Sequence, residues 1–115
     1  MIPHGVEIFV GVEPIDLRWG FDRLAGLVEE RVQRKARCGA LFVFFGKSKS
    51  AVKVLFFDGS GLCIFYKRLD QGNFRIPEAE PGATHVVIDE GALDDLLDGI
   101  DIERAPRKPR VARVH

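Results

Sequence analysis

Two apolar runs joined by a short turn are the feature that most constrains the fold of this chain. Residues 51–57 and 62–69 are rich in β-branched and aromatic side chains, and Asp58-Gly59-Ser60-Gly61 lies between them. This arrangement is a strong β-hairpin signal, and a similar run at 41–45 predicts a third strand before it. With the four turn residues as the loop, the predicted register pairs Phe57 with Leu62, Leu55 with Ile64 and Lys53 with Tyr66.

Alternation along the two strands assigns each side chain to one face of the sheet. One face carries Lys53, Leu55, Phe57, Leu62, Ile64, Tyr66 and Arg68, and the other carries Val52, Val54, Phe56, Cys63, Phe65, Lys67 and Leu69. Because both faces are mostly apolar, we expect the hairpin to be central in its sheet and covered on both sides. Phe65→Ala is accordingly expected to destabilise the fold by about 3–5 kcal/mol, as loss of a large buried aromatic does.

The remaining elements are predicted from periodicity and turn residues. Residues 6–12 and 84–88 read as strands, and residues 17–33 carry an apolar stripe at helical spacing, which includes Phe21, behind Asp16 as N-cap. A shorter acidic helix at 90–98 ends at Gly99. The predicted fold class is α+β: an antiparallel, meander-like sheet of about five strands, packed by one long amphipathic helix, with a short C-terminal acidic helix.

Length and composition set the broad class of the protein. The 115 residues suit one domain, and an apolar fraction of 46% with nine phenylalanines is ample for a core. We assign this domain to residues 1–103 and predict a basic, disordered tail at 104–115. No apolar run is as long as a transmembrane helix, and residues 1–5 lack the pattern of a secretory signal, so no membrane partner is expected. Two distant cysteines, Cys38 and Cys63, fit a reducing, cytoplasmic location.

Charge is segregated along a chain whose net charge is zero. Residues 1–77 carry 12 basic and 8 acidic side chains, residues 78–103 carry nine acidic and no basic ones, and residues 104–115 carry five basic and no acidic ones. Basic segments commonly bind nucleic acid through its phosphates. The predicted DNA contacts are Lys47, Lys49, Lys53, Lys67 and Arg68 around the hairpin, and Arg107, Lys108 and Arg110 in the tail.

Arg18 leaves two interpretations open. It falls in the first turn of the predicted helix, where the helix dipole favours anions over cations. Either Asp16 or Asp22 pairs with it, or its guanidinium is aimed at a phosphate or an acidic partner. We include Arg18 among the predicted DNA contacts. The loop at 46–50 lacks the spacing of a P-loop, so contact with a DNA backbone is favoured over nucleotide binding.

No catalytic site and no metal site are predicted. A metal-dependent phosphoryl-transfer enzyme needs several carboxylates converging on a cation. The three that could be proposed have simpler roles: Asp16 as a cap, Asp58 in a turn and Glu90 in a first helical turn. The histidines, at positions 4, 85 and 115, are too scattered to suggest zinc ligation or histidine–cysteine catalysis. The sequence therefore predicts no enzyme, no cofactor and no small-molecule substrate.

Several motifs carry a specific resemblance to a known family. They are Asp16-x-Arg18-x-Gly20-Phe21-x-x-Leu24, Leu41-Phe42-Val43-Phe44, Lys53-Val54-Leu55-x-x-Asp58-Gly59-x-Gly61-Leu62-Cys63, Lys67-Arg68-Leu69-x-x-Gly72-x-Phe74 and Gly99-Ile100-Asp101. In this order and spacing the chain resembles the small TnpB accessory proteins encoded by the second open reading frame of insertion-sequence family 66. Two positions depart from the family pattern: Ile76 stands where tryptophan is usual, and Gly46-Lys47-Ser48-Lys49 stands where arginines are common.

The resemblance implies a role in DNA transposition beside a separate, larger transposase that carries the DDE-type chemistry. It implies no catalytic residue for the accessory protein itself. We therefore predict a non-enzymatic accessory factor that binds DNA and works with the transposase of the same element. The alternative is a protein adaptor that binds the transposase without contacting DNA, through the region 16–18 or the acidic segment 89–101. The predicted partner contacts are Asp16, Asp94 and Asp95.

Overall fold

In the computed structural model, which describes residues 5–99, five strands form one sheet. The strands are β1 (Ile8–Gly11), β2 (Leu41–Phe45), β3 (Ala51–Phe57), β4 (Leu62–Arg68) and β5 (His85–Ile88). The helices are α1 (Phe21–Leu27), which continues into a π-helical turn (Val28–Val32), and α2 (Glu90–Leu97). Across the sheet the strand order is β4-β3-β2-β1-β5.

The register predicted for the hairpin is confirmed. β3 pairs antiparallel with β4, and the partners are those expected from a four-residue loop, with Leu55 opposite Ile64. The Asp58 carboxylate closes the turn, because it accepts hydrogen bonds from the Ser60 amide and hydroxyl and from the Gly61 amide, each at 2.9 Å. Glycine is needed inside the turn, at position 59, where φ is +101°.

The hairpin lies at one edge of the sheet, so the prediction that it is central was wrong for β4. β3 is buried along most of its length, but β4 has a neighbouring strand on one side only. As a result Phe65 is 45% exposed and Tyr66 is 48% exposed. The cost predicted for Phe65→Ala is therefore too high, because about half of the ring already lies in water and only about 1 kcal/mol of hydrophobic burial is lost.

The sheet is mixed, which corrects the predicted antiparallel sheet. β2, β3 and β4 do form an antiparallel meander, but β1 pairs parallel to β2, with Ile8 opposite Leu41 and Val10 opposite Val43. β5 then pairs antiparallel with the outer side of β1. The cause is the helical connection between β1 and β2, which returns the chain to the end of the sheet where β1 began.

The first helix is short, and this corrects the long helix predicted at 17–33. Helical backbone begins only at Phe21, since the Trp19 amide instead donates to the Asp16 carbonyl at 3.0 Å in a separate turn. Asp16 is therefore not the N-cap. The helix widens into its π-helical turn and ends at Gln33, which has the left-handed φ of 60°. Phe21 was predicted to face the sheet, but its position at the helix start leaves it 48% exposed.

Helices cover both faces of the sheet, giving three layers. On the first face, α1 and its extension pack Leu24, Leu27 and Val28 against Phe9, Phe42, Phe44 and Leu55. On the second face, α2 and the segment before β5 pack Leu93, Leu96 and Phe74 against Ile8, Val10, Val43, Phe45, Val52 and Val54. The apolar character of both faces of β3, noted in the sequence, follows from this double cover.

The acidic helix α2 forms where it was predicted. Asp89 is its N-cap, because its carboxylate accepts a hydrogen bond of 2.7 Å from the Ala92 amide. At the other end Gly99 has φ +83°, as expected for a helix C-terminus. The Lys67 ammonium donates to the Leu97 carbonyl at 2.7 Å, which places a cation at the negative end of the helix.

Some predictions fall on residues outside the described range. The basic tail at 104–115, with Arg107, Lys108 and Arg110, lies there, and so does the predicted domain boundary at residue 103. Within residues 5–99, none of the helices combines the length and the apolarity needed to cross a membrane.

Candidate nucleic-acid interface

One end of the sheet gathers segments that are far apart in the sequence. The Ile15 amide donates to the Phe45 carbonyl at 2.8 Å, so the chain after β1 runs beside the end of β2. At this same end β3 begins opposite the last residue of β4, with Ala51 paired to Arg68. The loop that joins β2 to β3 also lies there. We name this surface the basic end and define it as residues 15–19 and 46–53 together with Tyr66 and Arg68.

The loop of the basic end is held in place by backbone hydrogen bonds. The Lys49 amide donates to the Gly46 carbonyl at 3.0 Å, and the Lys49 carbonyl accepts from the Phe74 amide at 2.7 Å. The side chains of Lys47 and Lys49 are exposed. The loop therefore presents two exposed lysine side chains on a backbone that is held by hydrogen bonds.

Residues 15–19 pack closely against this loop. A Cβ atom at Gly46 would lie only 2.6 Å from Cδ1 of Leu17, closer than two carbon atoms can pack. Glycine at position 46 is what allows Leu17 to lie against the loop. The contact holds the neighbouring Arg18 at the basic end.

Lys53 is the buried cation of the basic end. Its side chain lies on the first face of the sheet and is 8% exposed. The ammonium donates to the Trp19 carbonyl at 2.9 Å and lies 5.1 Å from the centre of the Tyr66 ring. Lys53 therefore holds residues 15–19 against the sheet. Because its ammonium is hydrogen-bonded and buried, it contributes positive electrostatic potential to the surface and not a direct contact.

Arg18 pairs with Asp16, which is one of the two interpretations that the sequence left open. Arg18 Nε donates to Asp16 Oδ1 at 3.0 Å and Nη2 donates to Oδ2 at 2.7 Å. The Arg18 amide donates to the same carboxylate at 2.9 Å. Because the Arg18 side chain is 90% exposed, the rest of its guanidinium still faces solvent. Such a surface pair contributes little to stability, but it fixes the direction of the arginine.

Two carboxylates have a lowered pKa: Asp16 at the basic end, and Asp58 in the hairpin turn at the other end of β3. Hydrogen bonds from the Arg18 side chain and then from its amide hold the pKa of Asp16 at about 2, with a smaller effect from the charge of Lys53. Hydrogen bonds from the Ser60 amide, the Gly61 amide and the Ser60 hydroxyl hold the pKa of Asp58 at about 2. Both groups therefore stay ionised well below the pH at which an ordinary aspartate is protonated.

We expect these two carboxylates to titrate near pH 2 in the native protein, followed by NMR of their carboxyl carbons. The folded pKa lies below the unfolded value of about 3.9, so their stabilising effect is complete above roughly pH 4 and is lost as the pH falls towards 2. The urea-unfolded chain is the control, in which both should titrate near the ordinary value. A native midpoint near 3.9 for Asp16 would contradict its pairing with Arg18.

Aromatic rings border the cations of the basic end. The Arg23 guanidinium lies 4.5 Å from the centre of the Trp19 ring, and Phe21 and Tyr66 are each about half exposed. Sequence reasoning missed Trp19 as part of this surface, and Phe21 and Arg23 as its neighbours on α1. The signal available was the single tryptophan of the chain placed directly after Arg18.

Three of the predicted site residues do not join the basic end. Lys67 points to the second face of the sheet, where it bonds to the C-terminus of α2. Asp94 is exposed and Asp95 half-buried on α2, which also packs on the second face, whereas residues 15–19 pack on the first. The predicted partner-binding residues Asp16, Asp94 and Asp95 are thus divided between two sides of the molecule.

Several cations away from the basic end are neutralised by carboxylates. The pairs are Arg31 with Glu13 at 3.6 Å, Arg34 with Glu7 at 2.7 Å and Lys35 with Glu29 at 3.7 Å. In the part of the chain that the structure describes, no ion pair involves Lys47, Lys49, Lys53 or Arg68. The basic end therefore carries positive charge that carboxylates do not compensate.

Fold and surface together define a small three-layer α+β protein with a basic patch at one end of a mixed sheet. Among residues 5–99, no three or more histidine, cysteine, aspartate or glutamate side chains are grouped so as to hold a metal ion. The chain belongs to the family described as IS66 Orf2 like protein, which it matches over residues 6–107. This confirms the resemblance found in the sequence. The family has an accessory role in transposition and is not a known family of enzymes.

Two relatives from Sinorhizobium fredii (strain NBRC 101917 / NGR234) are similar over most of their length. The protein titled "Uncharacterized protein y4hO" is 44% identical over 103 residues, which cover 88% of each chain. The protein titled "Uncharacterized protein y4jC" is 35% identical over 106 residues, which cover 92% of this chain and 89% of the relative. No solved structure matches the chain.

Proposed function

We propose that this protein is a non-enzymatic accessory factor of transposition that binds DNA through its basic end, beside a separate transposase. The observation that carries the proposal is the convergence of Lys47, Lys49, Arg68 and Arg18 on one end of the sheet, above the buried cation Lys53. Phosphate contacts supply most of the affinity of proteins for DNA, and they require cations that are free of carboxylates. Asp16 is the one carboxylate bonded to this group among the described residues, and it engages only Arg18.

The arrangement of the loop supports phosphate binding. Lys47 and Lys49 are exposed on a loop whose backbone is hydrogen-bonded to a neighbouring segment. Binding a phosphate therefore costs the conformational entropy of two side chains but not that of the loop backbone. Contacts of this kind position a protein on DNA without reading its sequence. The tail residues Arg107, Lys108 and Arg110 remain predicted contacts that add to the same electrostatic attraction.

The test is binding of the purified protein to duplexes of the element's terminal repeats and of scrambled sequence, across a salt series. The logarithm of the affinity should fall with the logarithm of the salt concentration by about 0.9 for each phosphate neutralised. Lys47→Ala/Lys49→Ala should weaken binding and reduce this slope by about 1.8. Truncation after Ile102 should reduce the slope further if the tail makes contacts.

The matched control is Lys35→Ala/Arg37→Ala, which removes the same charge before β2, at the opposite end of the sheet from the loop. This control should bind as the wild type does. Equal losses in the two double variants would show that overall charge, and not the basic end, attracts DNA. Absence of wild-type binding at low salt both to the two duplexes and to their separated single strands would refute the proposal.

A protein adaptor is the second candidate function, favoured by the segregated charge of the chain. The segment 78–103 is acidic throughout and includes the exposed Asp94 on α2, on the face away from residues 15–19. An acidic face of this kind suits a basic partner such as a DNA-binding transposase. The adaptor would be established by two results together. The protein would co-purify with the transposase unless it carried Asp94→Asn/Asp95→Asn, and the isolated protein would not bind DNA.

A further inference from the structure

We propose that the basic end prefers unpaired DNA and stacks bases on its exposed aromatic rings, chiefly Tyr66. This inference rests on the proposed DNA-binding function and deepens it by naming the form of DNA. It is carried by two observations that duplex binding does not explain. Large aromatic side chains are exposed beside the cations, and the helices lack the cations needed to read a groove.

Tyr66 is solvent-exposed on the edge strand of the sheet. It lies on β4, the last strand of the sheet that residues 5–99 form, and it is 48% exposed. The Lys53 ammonium lies 5.1 Å from the ring centre, and Arg68 Nη2 lies 3.5 Å from the tyrosine hydroxyl. The ring is thus flanked by two cations and still has free surface.

A second exposed ring lies on the same face of the sheet. Phe21 is 48% exposed at the start of α1, two residues after Trp19, whose carbonyl accepts the hydrogen bond from Lys53. Trp19 itself is half-buried under the Arg23 guanidinium. Lys53 therefore connects Trp19, near the start of α1, with the Tyr66 ring on the first face.

An exposed ring with cations on either side matches the chemistry of single-stranded nucleic acid. In a duplex the faces of the bases are stacked on one another, and a protein reaches only phosphates, sugars and base edges. In a single strand the faces are free, and proteins bind them by stacking bases on aromatic rings while cations follow the backbone. Exposed rings next to lysine and arginine provide both contacts.

The helices do not offer the usual means of reading a duplex. Proteins that read the major groove commonly insert a helix whose side chains reach the bases. α2 contains no lysine or arginine, and α1 contains Arg23 alone, which lies over Trp19. The π-helical turn after α1 adds Arg31, which pairs with Glu13 at 3.6 Å. The cations of the basic end lie instead on loops and at strand ends, where Lys53 and Arg68 are next to the exposed Tyr66 ring.

The experiment compares three labelled probes by fluorescence anisotropy: a single strand of the element's terminal repeat, its duplex, and the same strand with abasic sites. The wild type should bind the single strand more tightly than the duplex or the abasic strand. Tyr66→Ala should weaken binding of the single strand roughly 5- to 150-fold, the range found for loss of one stacked base, and leave the duplex unaffected. Tyr66→Phe, which keeps the ring, should bind as the wild type does.

Phe65→Ala is the matched control, because Phe65 is the adjacent residue, is 45% exposed and faces the other side of the sheet. Thermal melting verifies that both alanine variants fold. The inference is overturned if the single strand binds no better than the duplex, or if the two alanine variants lose affinity equally. If duplex binding falls in Lys47→Ala/Lys49→Ala while Tyr66→Ala changes nothing, the proposed function stands and this inference fails. If the wild type binds none of the probes, both fail.

Discussion

Replacing Phe45 with alanine is expected to lower the free energy of unfolding by about 3–5 kcal/mol, the usual cost of deleting a large buried aromatic. The Phe45 side chain is fully buried on the second face of the sheet, and its ring centre lies 5.7 Å from that of Phe74. Leu93 and Leu96 of α2 belong to the same cluster and hold the helix away from the sheet. The cavity left by the deleted ring therefore cannot easily close, which raises the cost. Urea denaturation followed by circular dichroism measures the loss.

The control for this prediction is Phe65→Ala, which removes the same side chain from the edge strand. Because Phe65 is about half exposed, we expect a loss of only about 1 kcal/mol. The difference between the two variants tests the position of β4 directly. Equal and large losses would mean that β4 is covered on its second face, as the sequence had suggested.

Leu24→Ala is expected to cost about 2–5 kcal/mol, because this side chain is fully buried between α1 and the first face of the sheet. Its partners in the cluster include Phe42 and Phe44, which come from the central strand β2. The loss should appear both in urea denaturation and as a lower melting temperature.

Phe21→Ala is the matched control on the same helix. The sequence pattern placed both residues on one apolar stripe, whereas Phe21 is about half exposed at the helix start. We expect a cost of about 1 kcal/mol for this variant. A loss as large as that of Leu24→Ala would indicate that the helix begins earlier, near residue 17, and that its first turn packs on the sheet.

The hairpin could be predicted from sequence because its determinants are local. A turn of aspartate, glycine and serine between two apolar runs fixes the loop length, and loop length fixes the register. The carboxylate of Asp58 and the positive φ of Gly59 act within four residues of one another. Information of this kind can be read from a short stretch of sequence.

The mixed sheet could not be predicted in the same way, because strand order depends on contacts between distant segments. Periodicity identified a helix between β1 and β2, and this connection in fact favours parallel pairing, a consequence that the meander prediction overlooked. The edge position of β4 was also missed. Its apolar residues fall on both faces, as in a buried strand, although among residues 5–99 no strand pairs with its outer edge.

The candidate site was predicted in part. Alternation correctly separated Lys53 and Lys67 onto opposite faces of the hairpin, because that is a local property of strands. What each lysine binds was not predictable, since their partners Trp19 and Leu97 lie 34 and 30 residues away in the sequence. The same holds for the packing of Leu17 on Gly46, which brings Arg18 to the basic end.

The edge strand β4 has a further consequence for the behaviour of the protein in solution. An unpaired strand edge offers backbone N–H and C=O groups to any other chain, and natural proteins commonly blunt such edges with charged side chains. In β4 the charges are Lys67 and Arg68, both at one end, while the other five positions are apolar, cysteine or tyrosine. Neutralising both residues would therefore promote self-association of exposed strands. We therefore expect Arg68, which is proposed to attract DNA, also to oppose association of strand edges, so that its replacement changes affinity and solubility together.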